Sequence, residues 1–281
     1  MELELKSVSL DAYETGGELT LTQEETAETI VPDYCPDIAR IIQTDGKVYL
    51  HSRELRDGKA ELSGTVRVTV LYTPDGEGGV RTLEFAIPFT AESDGRALPG
   101  CQHLTAETET EFLEARMLNP RKIFTHCKLV THLTGYQRKP LVFCEDTEAE
   151  PALQVEKRQE GQHAILLTHI AEKDFTFTEE MNLSPGREGA AELLTSQVSS
   201  TVTETKIVGS KLIFKGVFSI GLLYQDHNGD CGSASAELPF SQIMEVEGAV
   251  EGSAASLQLQ LTGTDLQIDG DDPEGRQIAV T

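Results

Sequence analysis

The residues most able to do chemistry lie close together near the N-terminus, in Val31-Pro32-Asp33-Tyr34-Cys35-Pro36-Asp37-Ile38-Ala39-Arg40. Asp33, Tyr34, Asp37 and Arg40 put two carboxylates, a phenol and a guanidinium on a short stretch that two prolines stiffen, a composition suited to a recognition surface. Paired carboxylates such as Asp33 and Asp37 could instead do acid/base work on a glycan, given a separation of roughly 5–10 Å across an open groove. The same residues are also ordinary helix-start chemistry, in which an Asp caps the first turn or complements its dipole. Asn119-Pro120-Arg121-Lys122 is either a basic contact point on an acidic chain or a turn between two strands. Asp226-x-Asn228-x-Asp230, with Glu237 further on, has the oxygen spacing of a calcium loop, but Cys231 stands where such a loop needs glycine. His126 and His132 fall on one face of a strand-like segment and Cys127 on the other, so adjacent His and Cys do not meet as base and nucleophile. Ser184, Ser196, Ser199 and Ser200 lack a nucleophile-elbow context, and no phosphate-cradling Gly-x-x-x-x-Gly-Lys occurs. No catalytic set emerges. The expectation is a non-enzymatic chain with no cofactor and no metal, whose candidate partner-binding positions are Asp33, Tyr34, Asp37, Arg40, Asn119, Arg121 and Lys122.

The elements that must position these residues repeat. Gly58 to Tyr72 aligns without gaps on Ser210 to Tyr224, with Gly64 on Gly216 and a terminal Leu-Tyr in both. A turn-rich segment follows each copy, Pro74-Asp75-Gly76 and Asp226-His227-Asn228-Gly229, and then a strand ending Ile87-Pro88-Phe89 or Leu238-Pro239-Phe240. More weakly, Ile41-Ile42 matches Leu193-Leu194, and Arg121-Lys122-Ile123 matches Arg276-Gln277-Ile278. Leu3-Glu4-Leu5-Lys6 and Leu153-Gln154-Val155-Glu156 read as the openings of the two copies. The period is that of a domain, longer than the roughly 20–50 residues of a solenoid unit. Residues 1–136 and 152–281 are therefore read as two β-domains, with 137–151, which includes the acidic Glu145 to Glu150, as the linker. Strict alternation at Val66-Val68-Val70 and Leu257-Leu259-Leu261 predicts half-buried strands. Pro36 to Gln43, with Ile38, Ile41 and Ile42 at helical spacing, predicts one short helix per copy. The fold class expected is all-β, two tandem β-sandwich or open-barrel domains. The second copy stops at Thr281, so its closing strand is expected to be short or missing.

Composition narrows the partners. With 47 acidic against 23 basic residues the net charge is −24, which repels a phosphate backbone and makes nucleic acid a poor partner. The same charge gives a well-solvated surface, or a field that favours a basic partner. Trp is absent and aromatics are 6%, so a sugar-stacking platform is poorly supplied. The five cysteines are scattered, with no Cys-x-x-Cys pair, and fit a reducing cytosol better than a disulfide framework. The first residues lack the basic start and apolar run of a secretory signal, and no stretch approaches the ~20 apolar residues of a membrane span.

Taken in order, the Pro-Asp-x-x-Pro-Asp-Ile motif at Pro32 to Ile38, the strand from Gly64 to Tyr72, Ile87-Pro88-Phe89 and Asn119-Pro120-Arg121-Lys122 resemble the SPOCS domain of clostridial, SipL-like spore-coat proteins. The first half carries every piece. In the second, Ser184-Pro185-Gly186 stands where the Pro-Asp motif belongs. The resemblance implies a structural role in assembling the spore coat in the mother-cell cytoplasm, by binding coat proteins such as the ATPase of the basement layer. A LysM module, common in that family, is not recognisable here, which argues against glycan as a ligand. The alternative is a cell-wall or cortex domain that binds or hydrolyses glycan.

Overall fold

A computed structural model describes residues 3–76, 78–149, 156, 158, 163–184 and 186–281. In the first half, β1 (Leu3–Ile30), β2 (Ile38–Arg56), β3 (Lys59–Pro74), β4 (Arg81–Glu92), β5 (His103–Asn119) and β6 (Lys122–Ala149) form two antiparallel sheets, β2-β3-β4 and β1-β6-β5. β2 runs beside β5, and β1 beside β4, so the sheets wrap a shared core. In the second half, β7 (Glu179–Asn182), β8 (Ala190–Val208), β9 (Lys211–Asp226), β10 (Cys231–Glu245), β11 (Leu266–Ile268) and β12 (Gln277–Val280) form sheets β8-β9-β10 and β7-β12-β11. Among the described residues the chain is all-β, without a helix.

Local sequence accounts for the pairing. Asp57-Gly58 joins β2 to β3, with φ of 50° and 80°, the left-handed backbone a two-residue hairpin needs to match strand twist. In β3, Val66, Val68, Val70 and Tyr72 project into the core beside Ile87 and Phe89 of β4 and Ile123, Leu129 and Leu133 of β6. Gly64 pairs with Phe89, whose ring lies over it. Gly216 pairs with Phe240 in the same way. In each case an aromatic ring fills the space the missing side chain leaves.

The two halves share bulge positions and several specific hydrogen bonds. β2 is bulged between Ile38 and Arg40, Ile41 and Gln43, and Leu50 and Ser52. β8 is bulged between Ala190 and Glu192, Leu193 and Thr195, and Val202 and Glu204, the aligned places. The Tyr72 hydroxyl donates to the Pro36 carbonyl at 3.3 Å, and the Tyr224 hydroxyl to Glu188 at 3.4 Å. Val31 N–H donates to Arg121 O at 2.9 Å, and Leu183 N–H to Arg276 O at 2.8 Å. The weak match of Arg121-Lys122-Ile123 to Arg276-Gln277-Ile278 is thus a structural equivalence.

The expected helix at Pro36 to Gln43 is corrected. After a turn at Asp33-Tyr34-Cys35, β2 begins at Ile38. Bulges explain the misleading spacing. Ile38 faces Pro74 and Ile41 faces Tyr72, because Ala39 is an extra residue on the bulged strand, so side chains three apart share a face as they would on a helix. Residues 137–149, read as linker, continue β6 and pair with β1 as far as Leu3↔Ala149. Charge marks them as solvated, and a ribbon wetted on both faces satisfies that without being loose. Leu153 to Val155, read as the opening of the second copy, lie outside the described residues.

The halves meet along the face of β2-β3-β4 that points away from the first core. Tyr49 Oη lies 2.5 Å from Thr264 Oγ1, and Arg67 Nη1 donates to Thr264 O at 2.5 Å. Lys47 Nζ donates to Ser196 Oγ at 3.3 Å, and Arg81 Nη1 to Gln225 Oε1 at 3.0 Å. Arg53 pairs with Glu172 at 2.6 Å.

Two outcomes test this account. A Cβ at Gly64 would stand 2.5 Å from the Phe89 ring and 2.6 Å from the Tyr49 carbonyl, which is backbone and cannot yield. Gly64→Ala is expected to cost about 1–3 kcal/mol in denaturant unfolding. Burial pushes the Tyr72 phenol up to about 12 from an ordinary 10.0. Because the unfolded chain ionises first, the stability from this group is complete below the ordinary value and is lost as pH rises through about 12. Stability curves of wild type and Tyr72→Phe should therefore converge across that window.

Candidate interaction surface

Between β1 and β2 the chain turns sharply, with Cys35 N–H donating to Pro32 O at 2.9 Å. Pro32 and Pro36 fix φ on either side, and Ile38 N–H is tied to Pro120 O at 2.9 Å across the β5–β6 turn. That second turn is tight: Asn119 pairs with Lys122, and Asn119 Oδ1 accepts the Arg121 N–H at 2.9 Å. Of the two readings of Asn119-Pro120-Arg121-Lys122, the turn is the one observed.

The turn aims Arg121 at the loop. Its Nη1 donates to Cys35 O at 2.7 Å and to Asp37 Oδ1 at 3.1 Å, and its Nη2 donates to Val31 O at 2.9 Å and to Asp33 Oδ1 at 3.1 Å. The guanidinium fork therefore holds both ends of the 31–37 loop at once. Magnitudes say which bonds matter. Asp33 and Asp37 are exposed carboxylates, and exposed ion pairs contribute about 0.2–1 kcal/mol. The partly buried bonds from a charged donor to the Val31 and Cys35 carbonyls are worth about 1.5–3 kcal/mol each. Arg121 is thus chiefly a backbone clamp.

Of the seven residues expected from sequence, Asp33, Asp37, Asn119 and Arg121 come together in this network. Tyr34 sits at the tip of the clamped turn and is 87% exposed. Arg40 lies further along β2 with an exposed side chain. Lys122 is paired with Glu28 of β1, away from the loop. The carbonyls of Val31 and Cys35, the main anchors, carry no signal in residue type and were not foreseen.

The other motifs resolve as structure. The Asp226 carboxylate accepts the N–H groups of Asn228 at 2.8 Å and Asp230 at 2.9 Å, closing the β9–β10 hairpin. His126 lies 3.2 Å from Glu24 on the outer face of β6, His132 lies 3.1 Å from Thr20, and Cys127 is buried on the inner face. Among the described residues no cluster of three or more His, Cys, Asp or Glu is arranged to hold a metal ion. A cleft of about 690 Å³ between the halves is lined by Phe175, Phe214, Leu257, Arg53, Arg67 and Lys173. Its cations are engaged, Arg53 by Glu172, Arg67 by Thr264 and Lys173 by the Ile243 carbonyl.

A duplicated all-β unit, whose first copy carries a clamped, aromatic-tipped loop, is the class of protein this architecture defines. The family description "SipL, SPOCS domain" matches residues 37–118 and again 189–269. The chain belongs to this family, carries two tandem copies of its domain, and is thereby marked as spore-related. No curated protein and no solved structure matches it.

Lysine cannot reproduce a four-bond fork. Arg121→Lys is expected to lower stability by about 2 kcal/mol and to raise amide exchange in residues 32–37 well before the core strands respond. Unchanged exchange in that loop would show that the prolines alone hold it.

Proposed function

We propose that this chain is a non-catalytic interaction module of the spore coat, and that its clamped loop engages another coat protein. The single observation that carries the reading is Tyr34: an aromatic side chain 87% exposed, with no part in either core, on a loop whose backbone is fixed by Arg121. A large ring on a pre-ordered backbone loses little conformational entropy on binding, which is why aromatic anchors dominate many interfaces. Asp33 beside it supplies an acceptor, and the chain's negative field favours a basic partner surface. Family membership supports the setting, and the basement-layer ATPase is the partner this reading names. The site is the mother-cell side of the forming coat.

The test is a pull-down from sporulating-cell lysate with the chain as bait, beside Tyr34→Ala and Asp33→Ala. Wild type should retain the basement-layer ATPase, and Tyr34→Ala should lose at least tenfold of it, a change of about 1.4 kcal/mol, with its thermal midpoint intact. Equal retention by Tyr34→Ala removes the loop from the interface. Binding of soluble glycan fragments with no coat protein replaces this reading with the cell-wall one.

A further inference from the structure

The two halves of the chain are joined by a contact whose counterparts are left open at both ends. On the donor side stands Leu194, the extra residue of the β8 bulge between Leu193 and Thr195. It is 1% exposed, in a cleft shared with Arg67, Leu83 and Glu84 of the first half. On the accepting side, β3 is covered on both faces where the second half lies across it. Val68, Val70 and Tyr72 point into the first core, and Thr69 and Leu71, on the opposite face, are only 7% and 5% exposed.

The aligned positions carry no such cover. Ile42 is the extra residue of the β2 bulge between Ile41 and Gln43, the counterpart of Leu194, yet it is 51% exposed. β9 alternates through its central stretch: Phe218, Ile220 and Leu222 are buried, while Gly221 and Leu223, the counterparts of the covered Thr69 and Leu71, are only partly so. Nothing lies within 4 Å of where a Cβ on Gly221 would be. One repeat shows an unfilled knob and the other an unfilled face, related as the two sides of the contact already made.

We propose that the open face of β8-β9-β10 in one copy of this chain receives the bulged start of β2 from a second copy, so that copies add head to tail. The join repeats the one between the halves: Ile42 takes the place of Leu194, and Ser219 and Gly221 take the places of Arg67 and Thr69. The knob and the face are different surfaces, so the contact is heterologous and propagates instead of closing on itself as a two-fold would. The join uses a bulged side chain and a sheet face in place of strand-edge pairing: the β2 side contributes Ile42, and β9 lies between β8 and β10. Arg40, exposed two residues before the knob, brings a cation to an acidic second copy.

Sedimentation velocity of the full chain over a range of concentration is the test, with Ile42→Asp and Gly221→Arg. Both changes fall on exposed or open positions, and equal thermal midpoints would verify that the variants fold. Wild type should grow past dimer as concentration rises, and each variant alone should remain monomeric. Mixed together they should form dimers and nothing larger, because Ile42→Asp keeps a good face and Gly221→Arg keeps a good knob. A wild type that stays monomeric throughout overturns the proposal, as do single variants that associate like wild type, or a mixture that stays monomeric. No coat protein is present, so the result stands apart from the fate of the Tyr34 surface.

Discussion

The bulged second strand of each repeat is the constraint on which the rest of the structure depends. An extra residue between Ile38 and Arg40 turns Ile41 back toward Tyr72, and another between Ile41 and Gln43 pushes Ile42 out of the sheet. The same device at Ala190 and Leu193 of β8 orients Leu194 toward the first half. A bulge bends and further twists the strand that carries it. That bend lets β2 leave its own sheet's line and run beside β5, which closes the two sheets around one core. Without it the strand would be straighter and Pro36 would not lie over the Tyr72 hydroxyl.

Polar bonds then fix what the bulges aim. Tyr72 and Tyr224 each spend their only hydroxyl proton on the backbone just before the bulged strand. Arg121 adds its fork in the first half alone, where the Pro-Asp loop is present. Its counterpart Arg276 instead pairs with Glu274, beside a turn in which Asp272 accepts backbone N–H groups from Glu274 and Gln277. Those bonds, with Gln277 foremost, hold the Asp272 carboxyl below its usual range. The two repeats share a framework and differ in what they hang on it.

Much of this was legible from residue order. The gap-free alignment of Gly64 with Gly216 and Tyr72 with Tyr224 rests on steric and hydrogen-bonding demands that only those residue types meet, so the repeat survives in sequence. The short helix misread at Pro36 failed because a bulge produces the same i, i+3 sharing of faces that helical periodicity does. Within the expected linker, Gln137 to Ala149 are strand instead, because charge reports solvation and an outlying two-stranded ribbon is as solvated as a loop. At the candidate surface, residue type singled out Asp33, Asp37, Asn119 and Arg121 as candidates for partner contact, and could not say that they meet one another or that Arg121 clamps the loop. That role depends on carbonyls at Val31 and Cys35, brought over by a register between segments far apart in the chain.

The pairing of β1 with β6 also sets a schedule for synthesis. Leu3 faces Ala149 and Ile30 faces Lys122, so the first strand has no native partner until the far end of the repeat has been made. At roughly 5–20 residues per second, that leaves the strand waiting for several seconds or more on the ribosome. Hairpins β2-β3-β4 can form meanwhile, since their contacts are local. The waiting strand is protected by its composition: Thr20-Leu21-Thr22-Gln23-Glu24-Glu25-Thr26-Ala27-Glu28 alternates few apolar groups with carboxylates. Charge of that density discourages pairing with the nascent chain of a neighbouring ribosome, so the acidity of β1 acts before the protein is folded at all.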